Sequence, residues 1–121
     1  MNCDEFNEYC NSLPVTTYVV QWGGSHVWKV GGKVFAIGGW DNGKYSGISF
    51  KVSRIAYECL KDEPGLRPAP YLASRGMKWI QEYGKPGLSH DDLKSYLAES
   101  HRIISLGLTK KKQKKLGLNG Q

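Results

Sequence analysis

Apolar positions along the chain change their period several times, and each change marks an element. Phe6, Tyr9, Cys10 and Leu13 recur at i, i+3, i+4 and i+7, the single stripe of an amphipathic helix over Asp4–Leu13. Asp4 offers an N-cap and Pro14 a stop. From Val15 to Trp22 the run VTTYVVQW is β-branched and aromatic, which predicts a strand ended by Gly23-Gly24. His26–Val30 and Lys33–Gly38 read as two more strands joined by Gly31-Gly32, the turn chemistry of a two-residue hairpin. Asp41-Asn42-Gly43-Lys44 is a second hairpin signal. It leads into YSGISFKV, where Ile48, Phe50 and Val52 alternate with Ser49 and Lys51. The expected unit is a meander of about four antiparallel strands with one face wet.

Helical period returns at Ser53. Ile55, Ala56, Cys59 and Leu60 would line one face, and Pro64-Gly65 would end the helix. Pro68 and Pro70 then impose an extended, irregular path, because each lacks a donor and restricts the residue before it. Met77–Tyr83 is a strand candidate with neither alternating set cleanly apolar. Ser89 opens a third helix, approximating a capping box with Asp92. Leu93, Tyr96, Leu97, His101 and Ile104 form its stripe, and Gly107 closes it. Together these predict an α+β single-domain sandwich, an antiparallel β-meander packed against N-terminal, middle and C-terminal helices. Residues 1–108 form that domain, and 109–121 are expected as a basic, flexible C-terminal tail.

A chain of 121 residues suits one domain and can build a core without disulfide or metal. No apolar run approaches the ~20 residues of a membrane span. The acidic start MNCDEFNEYC lacks the character of a signal peptide, so a cytoplasmic protein is expected, with no membrane partner. Cys3, Cys10 and Cys59 contain no Cys-x-x-Cys pair and read as unreactive thiols.

The net charge of +6 changes the picture only once it is located. Lys110, Lys111, Lys112, Lys114 and Lys115 supply five of the positive charges, and residues 1–109 are nearly neutral. An anionic partner must therefore be met by segregated cations. Lys29 and Lys33 flank the first hairpin turn, and Lys44 stands at the second. Exposed lysines serve solubility; the same lysines on two hairpins can also touch phosphates, which positions a protein on a duplex without reading its sequence.

Catalytic signatures are missing. Gly-x-Ser-x-Gly, P-loop, His-Glu-x-x-His and Gly-x-Gly-x-x-Gly patterns do not occur. His26, His90 and His101 fall on three different elements, and His101 on an apolar stripe reads as a core histidine. Asp91-Asp92 suits the first turn of a helix. No catalytic residue, cofactor or metal is expected.

Four segments occur in a telling order: WGGSHVWKVGGKVFAI, ISFKV, RPAPYLASRGMKWI and LAESHRII. With those spacings the chain resembles the MmcQ/YjbR family over essentially its whole length, about Asp4 to Leu116. The resemblance implies a compact fold likened to the frataxin-type (CyaY-like) sandwich, and a DNA-binding role through a "double wing" of β-hairpins. The wings would be Lys29–Lys33 and Asp41–Tyr45. The signature block would comprise Arg67, Tyr71, Arg75, Lys78 and Trp79, with Tyr71 and Trp79 as frame and the three cations as further DNA contacts. Where acidic residues often precede the first aromatic-Gly pair, this chain has Thr16 and Thr17. The expectation is a monomeric, non-enzymatic DNA-binding protein of low sequence specificity. The alternatives are a protein–protein interaction module using the Tyr/Trp surface and a small-ligand binder with a pocket beside Trp79.

Overall fold

Helix α1 spans Cys3–Ser12 in the computed structural model, which describes residues 1–70, 72 and 76–118. Asn2 caps it rather than Asp4. Its side-chain oxygen accepts from Glu5 N at 2.8 Å, and Asn2 N donates back to the Glu5 carboxylate at 2.9 Å. This reciprocal box satisfies two backbone donors at once, which a cap two residues later would leave open. Phe6 and Cys10 are buried, while Tyr9 and Leu13 pack at the edge of the core.

Strands β1 (Thr16–Gln21), β2 (Ser25–Val30), β3 (Lys33–Asp41) and β4 (Lys44–Lys51) form the expected meander. Two further strands extend it: β5 (Leu66–Pro68) and β6 (Trp79–Glu82). The sheet order is β1-β2-β3-β4-β6-β5, and every pairing is antiparallel. Strand β6 is thus an inner strand, and both Trp79 and Ile80 are buried. That is why its sequence shows no clean alternation. Pro68 sits on the edge strand, where its missing donor costs no ladder bond.

Side chains of the aligned row Trp28, Ala36, Phe50 and Ile80 share one face. Phe6, Leu93 and Leu97 cover that face from α1 and from α3, His90–Leu106. Ser89 caps α3, accepting from Asp92 N at 3.1 Å. The α3 stripe falls as expected, with Ser100 and Ser105 added to its buried side. Ser100 has a structural task. The β3–β4 ladder ends at Ala36–Phe50, and beyond it the Ser100 hydroxyl donates to Phe35 O at 2.6 Å and accepts from Lys51 N at 2.9 Å. One side chain satisfies two backbone groups that the parting strands would otherwise orphan.

Two expectations need correction. Helix α2 is Arg54–Leu60, capped by Ser53, but Ile55 is 78% exposed and Cys59 is exposed. Its inward face is Ala56, Tyr57 and Leu60. Positions i−4 and i−3 from Leu60 turn inward together, and a helix of two turns can present no wider stripe. The basic segment is likewise not a loose tail: Lys110–Leu116 is a helix, α4. Thr109 caps its start by accepting from Lys112 N at 3.1 Å, and Gly117 ends it at φ 73°. Gln113, the one uncharged polar residue in the lysine run, turns inward and donates to Leu108 O at 2.8 Å. Leu108 is buried and Leu118 half-buried, which ties down both ends. Within the segment 109–121 expected as a flexible tail, Lys110–Leu116 is thus helical, and its last three residues lie outside the described region.

Candidate nucleic-acid interface

Hydrogen-bonding geometry places the two candidate wings far apart. The β2–β3 turn Gly31-Gly32 and the β3–β4 turn Asn42-Gly43 lie at opposite ends of β3. At 3.2–3.4 Å per residue, β3 separates them by roughly 26 Å. Lys29 and Lys33 stand at one end, Lys44 at the other. Lys44 pairs in register with Asp41, whereas Lys33 faces Val30.

Helix α4 lies against the Gly31-Gly32 turn. A Cβ at Gly31 would fall 2.5 Å from the Leu108 side chain, and one at Gly32 would lie 3.7 Å from Lys112 Nζ. The turn and the lysine helix thus make one surface. Lys33 and the lysines at 110, 111, 112, 114 and 115 are exposed, and Lys29 is half-buried. Among the described residues the salt bridges are Lys61–Glu58 and Arg102–Glu99, so none of these lysines is spent on a carboxylate. Segments Ser25–Trp40 and Ser100–Leu118 carry eight cations, of which Arg102 is paired with Glu99 and the other seven are these lysines, while the remaining nine cations of the chain share the sequence with all eleven acids.

The signature block is divided. Arg67 on β5 donates from Nε to Gln81 Oε1 at 2.8 Å and stacks 4.4 Å from the Tyr83 ring centroid. Lys78 sits 4.7 Å over the Tyr57 ring of α2. Both cations are held by neighbouring aromatic rings. Trp79 is 3% exposed and pairs in register with Lys51. Tyr71 and Arg75 lie outside the described residues.

Two features escape sequence reasoning. The first is Lys51, at the end of β4 beside Trp79. It borders a cleft of about 410 Å³ with Trp22, Lys33, Val34, Ile37, Leu72, Met77, Trp79 and Ile104. Ile37, Lys51 and Trp79 alternate with helix-facing Ala36, Phe50 and Ile80, so the cleft lies on the opposite face of the sheet. Ile104 of α3 also lines it. No carboxylate or histidine lines it among the described residues.

The second is a polar cluster under α1. Cys3 Sγ lies 3.5 Å from His26 Nε2, and Tyr18 Oη lies 2.7 Å from His26 Nδ1. Trp28 Nε1 donates to Asn7 Oδ1 at 2.9 Å, which leaves the Asn7 amide N–H directed toward Cys3 and His26. Burial and the Asp4 carboxylate push the Cys3 thiol up, and the Asn7 hydrogen bond pulls it back in part. The cluster joins residues 3, 7, 18, 26 and 28, whose proximity no spacing rule reveals. His101 is buried; its ring nitrogen Nε2 lies 2.7 Å from Pro14 O, and its ring meets Phe35 edge-on. Burial holds its pKa below the usual histidine value, against that hydrogen bond.

An antiparallel sheet with helices packed on one face, a basic hairpin end and a cleft on the other face defines a class of small α+β proteins. Residues 11–103 match the YjbR family model, and the chain belongs to the YjbR family. Its fold is shared with Deinococcus radiodurans protein DR2400, a DUF419 domain whose crystal structure matches with a TM-score of 0.82. The two chains are 21% identical, over 97% of this chain and 88% of that one. A protein from Pseudomonas syringae matches with a TM-score of 0.66 at 21% identity, over 85% of this chain and 98% of its own. No curated protein matches significantly. No described helix is long and apolar enough to cross a membrane.

Proposed function

We propose that this protein binds DNA through its phosphate backbone, without catalysis, at the end of the sheet where the Gly31-Gly32 turn meets α4. One observation carries the reading. Two segments that hold seven lysines, none of them in a salt bridge, are brought together by tertiary contact at this turn. Unpaired lysines on a capped helix and a rigid hairpin form a fixed cationic ridge, and such a ridge grips phosphates regardless of base sequence. Lys44, beside Asp41 at the far end, takes no part.

Fluorescence anisotropy with a labelled duplex at 50 and 200 mM salt tests this. Binding should weaken steeply with salt, with log K falling by about 0.9 per log unit of salt for each phosphate engaged. Replacing the five α4 lysines with Gln should remove most of that slope while circular dichroism stays native. No binding at 50 mM salt, or equal binding by the variant, would refute the proposal.

A further inference from the structure

Trp79 carries a buried indole N–H with no acceptor. Such a group costs free energy unless something fills the role of acceptor. Trp79 also lines the cleft on the outer face of the sheet, and Lys33 and Lys51 stand beside it. The Trp79 N–H itself is sealed from solvent, and among the described residues the charged side chains bordering this cleft are these two ammonium groups. Its remaining lining is apolar, including Ile37, Met77 and an indole wall from Trp22, which is 63% exposed. Trp22 adopts φ 53°, a conformation uncommon outside glycine, at the head of the β1–β2 turn. A cleft of this volume lies within the range of sites that take small molecules or single groups, roughly 300–1,000 Å³.

We infer that the cleft receives one unstacked base of a single-stranded nucleic acid, and so prefers single strands over duplex. The inference rests on the phosphate-binding reading above and names the form of nucleic acid. Lys33 belongs both to the cationic ridge and to the cleft, so a strand held by α4 and the hairpin passes the cleft mouth. A base turned inward stacks on the Trp22 ring, as aromatic platforms hold single strands. Each base edge presents acceptors, and the Lys33 and Lys51 ammonium groups beside the cleft supply donors. Lys51 meets the flanking phosphate. A duplex keeps its base faces stacked, so it can use the ridge but not the cleft.

The test compares a 15-nucleotide oligothymidylate, an abasic strand of the same length and a 15-base-pair duplex, by anisotropy and by the indole ¹H–¹⁵N cross-peaks. Oligothymidylate should bind more tightly than the other two and should shift the Trp79 cross-peak. Trp22→Ala should weaken oligothymidylate binding about 5- to 150-fold, the range for loss of one stacked base, and leave duplex binding unchanged. The exposed side chain makes this variant safe for folding, and Lys51→Gln provides an independent second probe with the same direction of effect. If all three ligands bind alike and neither variant discriminates, the base pocket is refuted and the phosphate reading stands. If none binds at 50 mM salt, both are refuted together.

Discussion

The two ends of β3 use the same turn chemistry and arrive at different surfaces. Gly31 and Gly32 take φ 59° and 83°; Asn42 and Gly43 take φ 51° and 78°. Both pairs meet the positive-φ requirement of a tight type I′ hairpin, and both turns have a lysine next to them. At the Asn42-Gly43 end nothing lies within 4 Å of a Cβ built on Gly43, and Asp41 stands across from Lys44. At the Gly31-Gly32 end Leu108 fills the space above the turn, and Lys112 of the lysine-rich α4 reaches it. A hairpin's charge therefore depends less on its own residues than on what docks against it.

The comparison can be broken most severely at Gly31. Gly31→Ala adds a methyl at positive φ and drives it into Leu108. It should cost about 2–4 kcal/mol, combining backbone strain with overpacking, in urea unfolding. Gly43→Ala meets open space and should cost about 1–2 kcal/mol from backbone strain alone. Equal losses would mean that Leu108 does not pack on the turn.

Ser100→Ala should cost about 1–3 kcal/mol, because Phe35 O and Lys51 N lose their shared partner in a mostly buried setting. Hydrogen exchange should show the Lys51 amide losing protection while the amides of β1 keep theirs.

A smaller effect separates the lysines of the two turns. Lys33→Gln should lower the salt slope of duplex binding by about one unit, and Lys44→Gln should leave it unchanged. A matching loss at Lys44 would restore the two-wing picture.

The smallest effect concerns pH. Burial depresses the His101 pKa in the folded state, so the unfolded chain binds a proton that the folded chain resists. Its contribution is present in full above the ordinary histidine pKa of about 6.5 and is lost as pH falls through that value toward the depressed folded one. The urea midpoint of the wild type should therefore drop between pH 7.5 and 5.5 by more than that of His101→Asn. An identical drop in both would show that His101 does not drive the dependence.

Much of the fold was legible because its signals are local. Gly31-Gly32 and Asn42-Gly43 marked their turns, and Ser53, Ser89 and Gly107 marked helix ends. Phe6, Cys10, Leu93 and Leu97 marked core faces by period. Legibility failed where a residue answers to partners distant in sequence. Strand β6 hides its alternation because β4 and β5 flank it and both faces are covered. Lys110–Leu116 reads as a solvated charge run, and only the carbonyls at the end of α3 give Gln113 a reason to turn inward. Lys51 and Trp22 carried no signal for the cleft they border.

The sequence by itself determined the α+β class, the meander, the Ser53 and Ser89 helix starts and the presence of a lysine-rich segment. Each follows from backbone preference or from a period read over a few residues. Tertiary structure alone decided which cations act together. It split Lys33 from Lys44 by the length of one strand, brought Lys112 of α4 to the first turn, and set Lys33 and Lys51 beside one cleft. Charges cooperate only within about a Debye length, roughly 8–10 Å in physiological salt, and that distance is a property of the folded chain.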